Sequence, residues 1–204
     1  MNNLNVYEKR GLKKFSLFSM IFFFMLLVPI TVKAQDDIKS LDSLADVAIN
    51  NGNYAGGYLL RTKQIDMLSK QVDKSDSNLI LLIANRGMCM ERLKKFDEAL
   101  TEVKKAVELW AEFKDSTSFC YAALLNYLSV CQMNANQMND DVESSQRSIS
   151  LLEKMPNKDM TKWMNLGTAY TNFAETLVKL KRFKDAITEE LKGLKIIQKY
   201  NGDD

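Results

Sequence analysis

Apolar residues recur along the chain at intervals of three and four, which is the spacing of one face of an α-helix. Within this pattern, four small residues lie 42, 42 and 45 positions apart, and we call them anchors. The anchors are Ala45, Gly87, Ser129 and Ala174. A large side chain follows each anchor nine positions later, and a small residue follows twelve positions later in three of the four cases. This recurrence predicts four related units of two helices each.

Small residues allow two antiparallel helices to approach closely, and large side chains fill the space near the turn that joins them. The turns are predicted at residues 51–53, 94–95, 136–137 and 181–182, where Gly and Asn suit a left-handed helix end. Capping residues and a proline separate the units. The units are predicted at residues 37–73, 77–114, 116–155 and 160–200. We therefore expect eight helices and no strand pairing.

The composition supports a nearly all-helical chain, because only 8 Gly and 2 Pro occur in 204 residues. Histidine is absent, which excludes Ser-His-Asp and Cys-His catalysis and histidine-ligated metals. Lys and Arg total 28 and Asp and Glu total 26, for a net charge of +2. This balance argues against a nucleic-acid partner, whose binding proteins carry a strongly basic surface.

The first 34 residues have the three parts of a secretory signal peptide. Basic residues between Lys9 and Lys14 precede an apolar run at 15–32, and small residues precede a cut after Ala34. An uncleaved membrane anchor is the alternative, since the run approaches the roughly 20 residues that span a bilayer. The chain is thus expected to be exported, most simply to the periplasm, with residues 35–204 as one domain. It would contact a membrane only if residues 1–34 are retained.

Three cysteines, Cys89, Cys120 and Cys131, fall within the predicted domain. Cys120 and Cys131 lie 11 residues apart on one predicted helix, which places them about 16 Å apart and beyond disulfide distance. Cys89 lies on a different helix. We expect all three to be buried small hydrophobic residues.

The pattern resembles the tetratricopeptide repeat, which has a small residue in the first helix, an aromatic at the turn and small residues in the second helix. The segments RLKKFDEAL at 92–100 and KLKRFKDAI at 179–187 match that family most closely. The resemblance covers residues 37 to about 200 and implies an all-α fold, a right-handed α-solenoid of four antiparallel helix pairs. Two departures stand out: Asp141 replaces an expected Ala or Gly, and Arg86 replaces a usual Leu. We expect them to loosen the third unit locally.

In that family the first helices of the repeats line a groove that binds peptide segments. By distance from each anchor, the resemblance assigns Asp42 and Asp46 to this groove in the first unit. In the other units it assigns Asn85, Met88, Arg92, Asn126, Val130, Met133, Thr171, Asn172, Glu175 and Lys179. Asparagine can pair with both groups of a peptide bond, and methionine gives adaptable apolar contacts. The Lys-plus-Asn pattern that binds a C-terminal carboxylate in some members is missing, so we expect no such ligand.

No constellation in the sequence predicts catalysis, a cofactor or a metal. Adjacent carboxylates such as Asp140 and Asp141 point about 100° apart on a helix and cannot flank one substrate. The leading hypothesis is an exported scaffold or adaptor that binds a protein or peptide. The alternative is the extracytoplasmic sensory region of a membrane-bound signalling protein, and an enzyme is the third and weakest hypothesis.

The last predicted helix carries Leu191, Leu194, Ile196 and Ile197 in close succession, without a polar capping helix after them. Helical repeat arrays usually end in such a cap. We therefore expect either that a second copy of the chain covers this helix or that the chain is the front part of a longer architecture.

Overall fold

The computed structural model describes residues 37–156 and 159–201, and the predicted signal segment 1–34 lies outside the described residues. The first described helix, α1, covers residues 37–50. It is followed by α2 (Tyr54–Leu68), α3 (Ser77–Arg92), α4 (Phe96–Phe113), α5 (Phe119–Asn134), α6 (Met138–Lys154), α7 (Met160–Lys179) and α8 (Phe183–Asn201). The described residues include no strand, so the all-α prediction is confirmed.

Each predicted unit contains two of these helices, which we call its A helix (α1, α3, α5, α7) and its B helix (α2, α4, α6, α8). The turn inside each unit holds one residue in the left-handed conformation. These residues are Gly52, Lys94, Asn136 and Lys181, with φ between 60° and 75°, and they are 42, 42 and 45 positions apart. The turn prediction is therefore confirmed, and a non-glycine residue tolerates this conformation at three of the four turns.

Side-chain caps define where A helices begin. Asp76 accepts hydrogen bonds from the backbone N–H groups of Asn78 and Leu79, and Asp159 accepts one from Lys162. Ser118 caps α5, and its hydroxyl oxygen also accepts a hydrogen bond from the buried Trp110 indole at 3.1 Å. Satisfying the free N–H groups of a helix start with a side-chain oxygen stabilises it by about 1 kcal/mol. These caps separate the units in the absence of glycine-rich loops.

The helices pack in chain order, A against B within a unit and B against the A helix of the next unit. One buried cluster spans α3, α4 and α5, and a second spans Ala122 of α5 and parts of α6, α7 and α8. Neighbouring A helices also touch, α3 with α5 and α5 with α7. No helix within the described part of the chain is long and apolar enough to cross a bilayer.

All four anchors are buried, and they mark points of close approach. A Cβ atom at Gly87 would lie 2.7 Å from Cγ2 of Val103 and 3.3 Å from the carbonyl oxygen of Ala99. In the last unit, a Cβ at Gly193 would lie 2.8 Å from the carbonyl oxygen of Gly167. These distances are shorter than van der Waals contact, so α3 packs on α4, and α7 on α8, at a separation that only small residues permit.

The two departures from the family pattern have local partners. Arg86 on α3 donates hydrogen bonds to the Glu102 carboxylate on α4, at 3.2 and 2.7 Å. Asp141 on α6 is 1% exposed and accepts hydrogen bonds from the hydroxyls of Ser145 at 3.0 Å and Thr176 at 2.6 Å. The expectation that Asp141 loosens the third unit is therefore wrong, because its carboxylate joins α6 to α7 through a paired, buried contact.

The cysteines are free thiols, as the sequence predicts. Cys89 and Cys131 are buried, whereas Cys120 is half-buried, which corrects the expectation of full burial for that residue. Burial raises the pKa of the Cys131 thiol to about 12, and the charge of Glu91 adds to this effect. Cys131 therefore stays protonated and unreactive at neutral pH.

The small residues can be tested by overpacking. Ala99 is fully buried on α4, so we expect Ala99→Leu to lower the free energy of unfolding by about 1–3 kcal/mol. Ala111 lies on the same helix and is exposed, so Ala111→Leu should change stability by less than about 0.5 kcal/mol. Urea unfolding followed by circular dichroism measures both, and equal effects would show that the assigned helix register is wrong.

Asp141 gives a pH-dependent expectation. Burial raises its pKa, against the opposing effect of the Thr176 and Ser145 hydroxyls and of Lys179. The folded chain therefore binds this proton more tightly than the unfolded chain, whose aspartates titrate at about 3.9. The contribution of Asp141 to stability is largest below that pH and declines as the pH rises through the folded pKa.

We expect Asp141→Asn to remove this decline, since the amide carries no charge in any state. Unfolding in urea at a series of pH values from 4 upward measures this. The free energy of unfolding of the variant should rise relative to that of the parent chain as the pH rises. Asp140→Asn is the matched control, because Asp140 is exposed on the same helix. A stability difference that does not change with pH would contradict the assignment.

Candidate functional site

A cleft of about 440 Å³ opens where α1, α2, α3 and α5 meet. It brings together three of the predicted groove residues, Asn85, Met88 and Arg92, with Asp46 from the first unit. Its remaining lining residues are Ile49, Asn50, Tyr54, Arg61, Cys89 and Tyr127. The cleft therefore offers amides, a thioether, aromatic rings and charges of both signs within one concavity.

Arg61 on α2 forms the electrostatic centre of this region, although it is 3% exposed. Its guanidinium donates hydrogen bonds to the carboxylates of Asp42 and Asp46 on α1 and to the side-chain oxygen of Gln64 at 2.8 Å. Both aspartates keep more than half of their side-chain surface in solvent. The two carboxylates thus fix a buried cation at the floor of the cleft while remaining accessible themselves.

The pKa of Asp42 lies below its usual value. Burial by itself raises the pKa, but the hydrogen bonds from Arg61 and Gln64, together with the charge of Arg61, outweigh that effect. Asp42 therefore stays ionised at neutral pH and balances the buried guanidinium.

The repeat pattern predicts Asp42 and Asp46 in the groove but does not indicate Arg61. The two aspartates are four residues apart on one face of α1. This spacing indicates a basic side chain from the neighbouring helix as their partner. Nothing in the repeat pattern indicated that cation, because the position equivalent to Arg61 in the second unit is the buried Val103.

The middle of the predicted groove is closed. Asn126 on α5 is 4% exposed, and its side-chain oxygen accepts a hydrogen bond from the Asn172 amide of α7 at 3.1 Å. Met133 is buried as well, and Val130 and Asn172 are half-buried. The expectation that Asn126 and Asn172 both face solvent is therefore wrong for Asn126, whose amide joins two A helices.

The remaining predicted residues lie on α7. Thr171 and Glu175 line a second cleft of about 440 Å³ between α7 and α8, while the exposed Lys179 forms a long ion pair with Glu175 at 3.9 Å. Of the ten groove residues predicted in the last three units, three line the first cleft, two line the second, four lie in the closed segment, and Lys179 lines neither cleft. The structure does not bring them into one continuous groove.

The second cleft is apolar on its α8 side, but the exposed residues differ from the predicted cluster. Leu191 and Leu194 are exposed as expected, whereas Ile196 and Ile197 are half-buried. Ile197 packs on α7, where its Cγ1 lies 2.8 Å from the place a Cβ would take at Gly167. The exposed apolar stripe of α8 consists of Phe183, Ile187, Leu191 and Leu194.

The arrangement suits binding through shape, hydrogen bonds and charge. The carboxylate that lines the first cleft, Asp46, is already paired with Arg61. Among the residues that the structure describes, no three cysteine or carboxylate side chains are placed to hold a metal ion.

Comparison with known proteins shows the class of this fold. No protein-family model and no curated sequence matches the chain. Several solved structures do, and they are tetratricopeptide-like helical repeat proteins. The chain has the fold of this class, an all-α helical repeat solenoid, so the predicted resemblance is confirmed at the level of the fold.

Three solved structures illustrate the likeness. BtubC (BKLC) from P. vanneervenii superposes with a TM-score of 0.69 at 15% identity over 81% of this chain, which spans 65% of BtubC. A Podosopora anserina protein of nearly identical TPR-like repeats gives 0.58 at 12% identity, over 81% of this chain and 94% of that one. A MamA RS-1 double mutant gives 0.51 at 14% identity, over 80% and 76%.

The Asn126–Asn172 contact predicts a structural role that can be measured. We expect Asn126→Ala to lower the free energy of unfolding by about 1–3 kcal/mol, because it leaves the half-buried Asn172 amide without its acceptor. Asn139→Ala on α6 is the control, since Asn139 is exposed and its loss should cost less than about 0.5 kcal/mol. Thermal melts of both variants provide the test, and an unchanged melting temperature for Asn126→Ala would argue against the contact.

Proposed function

We propose that the chain is a protein-interaction scaffold or adaptor, not an enzyme, and that the cleft between α1, α2, α3 and α5 binds an extended segment of a partner protein. The observation that carries the proposal is the convergence of Asn85, Met88 and Arg92 with Asp46 and Tyr127 in one cleft. The helical repeat fold supports it, because stacked helix pairs present long surfaces for binding and few flexible loops for catalysis.

The lining residues suit a peptide main chain. The Asn85 side chain can donate to a carbonyl and accept from an N–H of the same strand. Met88 can adapt to apolar side chains of different shapes, and Tyr127 adds a large rigid contact surface. Arg61 is already balanced by Asp42 and Asp46, so Arg92, which is exposed and pairs with Glu91 at 3.5 Å, is the lining cation that an acidic side chain of the segment would meet.

The location of the chain belongs to the same proposal. Export, most simply to the periplasm, rests on the signal-like pattern of residues 1–34, which lie outside the described residues. An exported adaptor would meet partners that are themselves exported or exposed on the outer side of a membrane. Retention of residues 1–34 would instead tether the same cleft to that membrane.

Photo-crosslinking in living cells tests the cleft directly. We expect benzoylphenylalanine in place of Met88 to capture a discrete partner, whose cross-linked peptide locates the bound segment. The matched control carries the same photoreactive residue in place of Lys105, which is exposed on α4 and does not line the cleft. Equal capture at both positions would mean that the cleft is not the binding site.

The captured segment, made as a fluorescent peptide, then allows a quantitative test. Asn85→Ala and Arg92→Glu should each weaken peptide binding by about 5- to 150-fold. Each variant leaves a polar group of the bound peptide without its hydrogen-bond partner, at a cost of about 1–3 kcal/mol. Neither should change the melting temperature appreciably, and Lys105→Glu should leave the affinity unaltered. Full affinity in both cleft variants would refute the proposed function.

A further inference from the structure

The joints between consecutive units repeat one contact. In this contact, the residue two positions after the anchor of an A helix packs against a residue of the preceding B helix. That second residue lies twelve positions after the anchor of the preceding unit. At the first joint, Sγ of Cys89 is 3.3 Å from the place a Cβ would take at Gly57. At the third joint, the Thr176 hydroxyl donates to the Asp141 carboxylate at 2.6 Å.

The middle joint follows the same register. Its corresponding residues, Cys131 on α5 and Ala99 on α4, are both buried in the same hydrophobic cluster. The first and third joints therefore show the contact between a B helix and the next A helix directly, and the equivalent residues of the middle joint are both buried.

The helix α1 carries the A-helix half of this contact, and no B helix precedes it among the described residues. Val47 occupies the position of Cys89, Cys131 and Thr176, yet it is 58% exposed. Leu44, which is 54% exposed, occupies the position of the buried Leu128 and Phe173 and of the half-buried Arg86, whose guanidinium pairs with Glu102 of α4. Two large aliphatic side chains thus lie in solvent on the face that is buried in later A helices.

The helix α8 carries the complementary half. Ile187 and Leu194 occupy the positions of Leu100 and Val107, which are buried in the cluster that joins α4 to α5. On α8 these residues are 61% and 41% exposed, and Phe183 and Leu191 extend the stripe. A contiguous exposed apolar stripe of this kind marks an interaction surface, whereas isolated exposed leucines do not.

We propose that a second copy of the chain docks the Leu44 and Val47 face of its α1 on the Phe183, Ile187, Leu191 and Leu194 stripe of α8. Each copy carries both halves of the interface, in the register that the first and third joints show within the chain. The contact is therefore head-to-tail, and it differs from a symmetric pairing of two α8 helices. A head-to-tail contact leaves one free face of each kind and can extend into rings or filaments. This inference does not depend on the proposed partner cleft.

Cysteine cross-linking tests the register. By equivalence with Cys89 and Gly57, position 47 of one copy should meet position 186 of the next. We expect full-length Val47→Cys and Ala186→Cys chains, mixed and oxidised with copper phenanthroline, to give a covalent dimer on a non-reducing gel. Neither chain alone should give it above the background of the unsubstituted protein, whose three native thiols are the control. A mixture of Val47→Cys with Lys105→Cys should also stay uncross-linked.

Dimers formed by Ala186→Cys alone would indicate α8–α8 pairing and overturn the proposal. The absence of any dimer in the Val47→Cys and Ala186→Cys mixture would overturn it as well.

Charged variants test the asymmetry independently. Val47→Glu blocks the α1 face and Ile187→Glu blocks the α8 stripe at the position equivalent to the buried Leu100, and both sites are exposed, so the fold should survive. Sedimentation velocity of the parent chain should show larger species as the concentration rises, and each variant alone should be monomeric. An equimolar mixture should form dimers and nothing larger, because one intact face of each kind remains. A parent chain that is monomeric at all concentrations, or a mixture that stays monomeric, would contradict the head-to-tail contact.

Discussion

Close approach of neighbouring helices at residues too small to separate them is the constraint on which this fold depends. At Gly87 and Gly193, a single added carbon would meet an atom of the facing helix at 2.7 and 2.8 Å. Because each contact admits a side chain of only one size, it sets the register of the pair. The register then decides which residues of each helix are buried, which line a cleft and which reach the next unit.

The joints between units keep this geometry while changing their chemistry. Cys89 against Gly57 is an apolar contact, whereas Thr176 against Asp141 is a hydrogen bond at the equivalent place. The two kinds are not interchangeable, since Cys89 opposite Asp141 would deprive a buried carboxylate of one of its two hydroxyl donors. The pairing therefore favours one order of units over others. The proposed contact between copies, Val47 on Ala186, is of the apolar kind.

The two proposed surfaces use different faces of α1. Asp46 and Ile49 point to the polar cleft, where Arg61 provides a fixed charge, and Leu44 and Val47 lie exposed on another side of the same helix. A partner segment and a second copy could bind at the same time, because neither surface contains a residue of the other. Head-to-tail association would then repeat the cleft at regular intervals and raise its effective concentration for a multivalent partner.

Much of the fold could be predicted because it follows from local chemistry repeated along the chain. The anchors, the turns at Gly52 and Asn136 and the cap at Ser118 each act within a few residues, so the sequence alone determined the helices, their pairing and their stacking. The candidate site could be predicted only in part, because repeat offsets specify a face of a helix and not what covers it.

Tertiary structure decided the rest. Asn126 and Asn85 occupy comparable groove positions by sequence, yet one is buried against Asn172 and the other lines a cleft. Arg61 and Asp141 break the apolar pattern, and their partners lie on other helices, Asp42 and Asp46 for the first and Thr176 for the second. A polar group is buried where other parts of the chain supply its hydrogen-bond partners, and the amino-acid sequence does not show which residues these are. The sequence therefore determined the repeated frame, and only the packing of its helices decided which polar residues hold that frame together and which remain free to bind.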